Sequence, residues 1–253
     1  MMLLKAKELK GFSLKSIDGD IGSASEFFFD DQYWTIRYLV ANTASWLSGK
    51  KVLISPYSVT GVNKDYQELA VELTKKQVEN SPSIDTDKPV SRQYEGVYNG
   101  YYGYPNYWGG LYAWGGHPYI ERDRANWRLS ASEEMGWDRH LRSSNEVTGY
   151  HLSARDGEIG HVDDFIIDDE TWTIRYLVVA TKNWWPGKKV LISPKWIENL
   201  SWDAREVAIG LSRETIKAAP EYTDESLLTR DYETGLYGHY NREGYWVDEL
   251  TAV

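Results

Sequence analysis

The sequence predicts a mainly β chain: two small closed β-barrels in tandem, each followed by short helices and an aromatic-rich extension. Three observations carry that expectation. The run Trp34-Thr35-Ile36-Arg37-Tyr38-Leu39-Val40 returns as Trp172-Thr173-Ile174-Arg175-Tyr176-Leu177-Val178, and 172 − 34 gives a shift of 138. Gly49-Lys50-Lys51-Val52-Leu53-Ile54-Ser55-Pro56 returns as Gly187-Lys188-Lys189-Val190-Leu191-Ile192-Ser193-Pro194, and 187 − 49 is again 138. Two matches in one register mean a duplicated unit. Finally, each copy holds about five short runs of strand character separated by turn residues, followed by one helical run, the pattern of a small barrel.

The 253 residues are 42% hydrophobic and 26% charged, enough apolar material for a core in each half. With 12 Trp and 19 Tyr against 5 Phe, the aromatics are of the kind that pair apolar area with a polar handle and suit half-buried sites and interfaces. The absence of Cys excludes disulfides, thiolate chemistry and Cys-based zinc sites. A formal charge of −10 argues against a general nucleic-acid binder, which needs a basic face. Met1 to Lys7 is too short an apolar stretch for a signal peptide, and no run reaches the roughly 18 residues of a membrane span. A soluble, cytoplasmic protein is expected.

Taken in order, residues 3–82 form the first barrel. Leu3 to Phe12 matches Leu141 to Tyr150. Asp18-Gly19-Asp20-Ile21-Gly22, matched by Asp156-Gly157-Glu158-Ile159-Gly160, is a hairpin signal leading into the β-rich Ala24 to Phe29 and Val162 to Ile167. Asp30-Asp31 and Asp168-Asp169 mark the next turn. In the strand that follows, Trp, Ile, Tyr and Val alternate against Thr, Arg and Leu. A loop, the Lys51 to Ser55 strand and a final strand at Glu68 to Leu73 complete the barrel, with Ser-Pro stopping the Lys51 strand because Pro cannot donate to a ladder. Thr74-Lys75-Lys76-Gln77 has capping-box form, and Ser212 supplies the same N-cap in the second copy. Pro82 and Pro220 end the short helices.

Residues 83–140 are an aromatic extension and polar linker, in which the Gly/Tyr-rich part predicts a weak helix that breaks up. Residues 141–220 form the second barrel. Residues 221–253 are a helical aromatic extension, with Tyr232, Leu236, Tyr237 and Tyr240 near helical spacing.

The Asp-Gly-x-Ile-Gly turn, the strand after Asp-Asp and the Gly-Lys-Lys-Val-Leu-Ile-Ser-Pro strand resemble the PRC-barrel domain. That domain occurs in the cytoplasmic part of the photosynthetic reaction centre H subunit and in the C-terminal half of a ribosome-maturation factor. The resemblance covers residues 11 to about 82 and 149 to about 220. It implies a six-stranded barrel used for docking, with no catalytic residues and no cofactor to carry over, and it leaves a reaction-centre-associated role open. The H subunit's membrane helix and the maturation factor's RNA-binding half have no counterpart in these residues.

Candidate sites fall into three groups. Trp46, Trp184 and Trp185 at loop tips, with Tyr94, Tyr102, Tyr107 and Trp108 in one tail and Tyr232, Tyr240, Tyr245 and Trp246 in the other, are expected to form contact surfaces, because exposed rings cost solvation. The tails are expected to build an inter-repeat or inter-subunit interface in a homodimer. Arg37 and Arg175 sit mid-strand, placed to hold an anion or, on the plainer reading, to pair with a neighbouring carboxylate. His151 and His161, flanking a hairpin, and Asp163, Asp164, Asp168 and Asp169 supply nitrogen and oxygen ligands for a hard cation, against the plain alternative of surface histidines and a turn. No nucleophile elbow or phosphate loop is present. The expected function is therefore a non-enzymatic scaffold that docks another protein. The alternative is a small-ligand or divalent-metal sensor on the histidines and the acidic cluster.

Overall fold

In a computed structural model of the chain, the structure describes residues 1–43, 46–47, 50–82, 84, 90–108, 110–127, 141–181 and 187–247. They form two compact units: Met1–Asn145 with Asp168–Thr173, and Glu146–Ile167 with Ile174–Val253.

In the first unit, β1 (Leu3–Lys5) and α1 (Ala6–Leu9) precede β2 (Ser13–Ser16), β3 (Gly19–Asp30), β4 (Thr35–Asn42), β5 (Lys51–Ile54), β6 (Val59–Asn63) and β7 (Glu68–Val71). Two helices follow, α2 (Lys75–Glu79) and α3 (Arg92–Tyr102), and later β8 (Leu141–Ser143). The strands hydrogen-bond in the order β5-β4-β3-β2-β7-β6, with β8 on the outer edge of β3 near Phe28 to Asp30. Every pairing on this path is antiparallel except β2 with β7, where Ser13, Leu14 and Lys15 run parallel to Glu68, Leu69 and Ala70. β3 serves three neighbours, β4 on one side and β2 then β8 on the other, because it bends, with register shifts between Ala24 and Glu26 and between Phe28 and Phe29.

The second unit repeats this plan. After α4 (Ser144–Val147) come β9 (His151–Ala154), β10 (Gly157–Asp168), β11 (Ile174–Ala180), β12 (Lys189–Ile192), β13 (Ile197–Ser201) and β14 (Glu206–Ile209), then α5 (Arg213–Lys217) and α6 (Arg230–His239). The order is β12-β11-β10-β9-β14-β13, and β9 with β14 is the parallel pair.

The fold is thus mainly β with two matching sheets. Among the described residues the hydrogen-bonded path is open. β5 and β6 stand at its two ends and are joined by a one-turn 3₁₀ segment at Pro56–Ser58, so strand pairing does not itself make the closed barrel expected from the turn pattern.

Glycine is required where β3 and β10 pass a neighbouring backbone. A Cβ on Gly22 would lie 2.0 Å from the Asn42 carbonyl oxygen, and one on Gly160 would lie 2.0 Å from that of Ala180. No side chain fits there, which accounts for the last glycine of each Asp-Gly-x-Ile-Gly motif. The Trp that opens each repeated run belongs to a turn rather than to a strand: Trp34 has φ 52° and Trp172 φ 58°. Beyond Trp34 the alternation does not divide buried from exposed positions, because Thr35 to Ala41 are all buried and both faces of β4 are covered.

The capping box forms as expected, with Thr74 accepting from Gln77 N–H and Gln77 reaching back to the Thr74 N–H. The first tail departs from expectation. It holds an unbroken 11-residue helix, one residue longer than its 10-residue counterpart. Gly96 and Gly100 lie where nothing is within 4 Å of a Cβ, so they cost backbone entropy but leave no packing gap. Ser91 caps the start, and Gly103 closes the end in the left-handed region at φ 71°.

Candidate functional site

Each tail helix is fastened to its own sheet by a carboxylate held among tyrosines. In the first unit Glu95 is 1% exposed. Its Oε1 accepts from the Tyr107 hydroxyl at 2.8 Å and from the Tyr38 hydroxyl at 3.2 Å, and Arg92 donates to Oε2 at 3.2 Å. Burial pushes the Glu95 carboxyl up to about 7, against the lowering pull of Arg92, the two hydroxyls and Arg37. Burial also raises the Tyr38 and Tyr107 phenols well above their ordinary range. The second unit builds the same post at positions shifted by 138. Glu233 accepts from Tyr176 at 2.7 Å and Tyr245 at 2.9 Å, with Arg230 2.9 Å away.

Arginine stacking completes each post. Arg37 donates from Nε to Asp30 at 2.6 Å, both groups buried, so the plainer reading of carboxylate pairing describes this residue. Among the described residues its terminal nitrogens have no hydrogen-bond partner. The guanidinium lies 3.7 Å from the Tyr107 ring centre and 4.7 Å from that of Trp114, where the aromatic faces supply the electrostatic partner. Arg175 lies 4.0 Å over Tyr245. Arg92 and Arg230 cover Trp108 and Trp246 at 4.4 and 4.3 Å.

The remaining tail tyrosines also lie on their own units. Tyr94 donates to the Pro82 carbonyl at 2.8 Å, and Tyr102 stacks on Tyr104 and packs tilted against Tyr98. Tyr240 packs 4.6 Å from Trp196, and its hydroxyl, like that of Tyr232, is buried and has no hydrogen-bond partner among the described residues. Trp46 is half-buried, with the Lys75 ammonium 5.8 Å from its ring centre. Trp184 and Trp185 lie outside the described residues.

The histidine and acidic candidates are spread along β9, β10 and the turn after it. His151 and His161 are cross-strand partners, but the His151 imidazole reaches Glu158 at 3.3 Å. Asp163 pairs with Lys189 at 3.0 Å, and Asp164 accepts from the Phe165 N–H. Asp168 accepts from the Glu170 and Thr171 N–H groups and the Thr171 hydroxyl, the work of a turn aspartate. Asp169 accepts from the Met2 N–H. Among the described residues no group of three or more His, Asp or Glu is arranged to hold a metal.

A cleft that the sequence reading missed lies in the first unit, lined by residues between positions 105 and 127 and by Tyr57. The chain doubles back on itself through short bridges, Tyr112 with Gly115 and Trp114 with His117. Gly110 approaches Gly115 so closely that a Cβ on it would lie 2.0 Å from the Gly115 carbonyl oxygen. The resulting cleft has a volume of about 660 Å³, with Tyr57, Trp108, Trp114 and Trp127 among its lining residues. Tyr57 organises it, 5.0 Å from Trp114, 5.5 Å from Trp127 and stacked at 5.5 Å on Tyr104. Indole N–H groups pin the walls: Trp114 donates to Thr171 O at 2.9 Å and Trp127 to Glu121 O at 2.8 Å. The density of Gly and Trp between positions 108 and 127 was the available signal, but the Gly110–Gly115 approach that shapes the cleft is a tertiary event.

Six strands in this order, with a capped helix after them and a tail helix fastened by a carboxylate, define a small β-rich fold in each unit. The family model of the PRC-barrel domain matches residues 145–214 of the chain, a span from α4 through β14 into α5. No curated relative matches the chain.

Proposed function

We propose that the chain is a tandem of two PRC-barrels and a non-enzymatic scaffold that docks another protein. The family match to the second repeat, the identical strand order in the first and the single 138-residue register support the tandem reading. The observation that carries the docking reading is the terminal strand of each sheet. β6 and β13 are last in their hydrogen-bonded orders, and most of their residues are exposed or half-exposed. β5, at the other end of the first sheet, is occupied instead: the Tyr98 hydroxyl donates to Leu53 O at 3.1 Å and accepts from Ser55 N–H at 3.0 Å. An edge strand with one free side can take an extended segment of a partner as a further strand. A second copy of the chain is one such partner, through an isologous contact. The buried posts support the absence of catalysis, since Glu95, Tyr38, Glu233 and Tyr176 are turned away from solvent and committed to one another.

The test is affinity capture from the source cell beside light scattering, with the wild type and a Val62→Pro, Leu200→Pro double variant that denies both edges. Loss of a captured protein, or of a dimer, in a variant that keeps its β circular dichroism supports edge docking. Equal capture and equal size in both proteins overturn it. The facing of His151 and His161 across one hairpin keeps the sensor as a second reading. Stoichiometric heat on titration with zinc or calcium, abolished by His151→Ala with His161→Ala, would establish it.

A further inference from the structure

We propose that the aromatic cleft of the first repeat binds a short neutral saccharide, a ligand site separate from the docking edges. The walls are rigid before any ligand arrives, because indole N–H bonds and ring contacts fix Trp114 and Trp127. Such preorganisation lowers the entropy cost of binding. A volume of about 660 Å³ suits a small ligand rather than a protein segment.

The chemistry of the lining selects the class. Among the described residues no Lys or Arg lines the cleft, so an anion finds no counter-charge there. A cation would have one carboxylate, Glu121, whose Oε1 already accepts from the Asp123 N–H at 2.8 Å. It would also meet the Arg37 guanidinium 4.7 Å from the Trp114 ring. A polyproline segment offers carbonyl acceptors and apolar rings, and it would desolvate Glu121 and the asparagine carbonyls without pairing them.

A pyranose ring answers both parts of the lining. Its C–H face lies flat on an indole or phenol. Its hydroxyls, donors and acceptors at once, meet the polar set of Asn106, His117, Glu121 and Asn126. Asn106 gives its carboxamide oxygen to Asn99 at 3.0 Å, which leaves its NH₂ to donate. The second repeat lacks this lining. Lys195, Arg242, Glu243 and Gly244 stand where the first has Tyr57, Tyr104, Pro105 and Asn106.

The test is calorimetry with tryptophan fluorescence on the full chain, using cellotriose, maltotriose and chitotriose as probes. Binding near a millimolar by at least one, with a fluorescence shift, is expected. Asn126→Ala, at an exposed position, should weaken that binding about tenfold without changing the melting temperature. Trp127→Ala should abolish it in protein that still melts cooperatively. Silence with all three sugars at about 10 mM overturns the proposal. So does unchanged affinity in Asn126→Ala and folded Trp127→Ala, or tight binding of tetramethylammonium, phosphate or a hexaproline peptide in place of sugar. None of these outcomes depends on whether β6 or β13 captures a partner.

Discussion

Position 57 is tyrosine in the first repeat, and its counterpart 195 is lysine; position 104 is tyrosine, and 242 is arginine. Beneath these differences the two units hold the same post, Glu95 with Tyr38 and Tyr107, Glu233 with Tyr176 and Tyr245. The contrast follows from what each residue would leave behind. Removing one member of a post strands a buried carboxylate or guanidinium, which is expensive. Lys195, which stands where the first repeat has Tyr57, is exposed, so in the second unit its ammonium reaches water. Trp196, next to Lys195, fills the second unit's corresponding corner by packing on Tyr237 and Tyr240. The two repeats therefore share the fastening of the tail and differ in what the tail presents.

The largest expected effect breaks the shared half of that comparison. Glu95→Ala takes the shared acceptor from two buried hydroxyls and the carboxylate from beside Arg92, and should lower stability by about 3–5 kcal/mol in urea unfolding. Glu233→Ala should cost about the same. A large loss in one variant and almost none in the other would show that only one post holds its tail.

Next in size is a pH effect at Glu95. Its folded carboxyl is raised from 4.5 to about 7, so the folded state binds the proton more tightly than the unfolded chain does. The stabilisation is whole below about pH 4.5 and is lost as the pH rises to about 7, a change of about 3 kcal/mol. Arg92 on α3, Arg37 and Tyr38 on β4, and Tyr107 beyond the helix are the charged and titratable groups facing it. The stability of wild type relative to Glu95→Gln should fall across that window. A flat difference would place the carboxyl in the ordinary range.

The smallest effect sharpens the contrast at the first helices. Thr74 and Gln77 form a reciprocal box, whereas Ser212 caps its helix by accepting from the Thr215 N–H. Gln77→Ala should cost a few tenths of a kcal/mol more than Thr215→Ala, and Thr74→Ala and Ser212→Ala about 1 kcal/mol each. Thermal melts of the four variants check the order.

Much of this plan was legible in the sequence. Runs such as Val52-Leu53-Ile54 and the Asp-Gly turns carry local signals strong enough to survive tertiary context, as do the Thr74–Gln77 box and the stops at Pro82 and Pro220. The three-residue strands Leu3–Lys5 and Leu141–Ser143 were not legible, since a run that short is a strand only because a partner lies beside it. The strength of α3 was missed because its two glycines count against a helix locally, whereas Tyr98 on the Leu53–Ser55 backbone rewards it from 43 and 45 residues away. At the candidate sites, Arg37 pairs with Asp30 seven residues away on the neighbouring strand. The cleft stayed hidden because its floor joins Tyr57 to Trp114 across the whole length of the tail.

The reach of β8 bears on when the protein can fold. Phe28 pairs with Ser143, and the first unit also takes in Asp168–Thr173, with Ile36 N–H bonded to Trp172 O. A nascent chain that has left the ribosome only as far as α3 already holds the six strands of the first sheet but lacks the strip that covers β3. At roughly 5–20 residues per second, the forty or so residues from the end of α3 to the end of β8 take about 2–8 seconds to emerge. Throughout that interval the outer edge of β3 stands bare to other chains, and the first half of the protein waits for the second to be made.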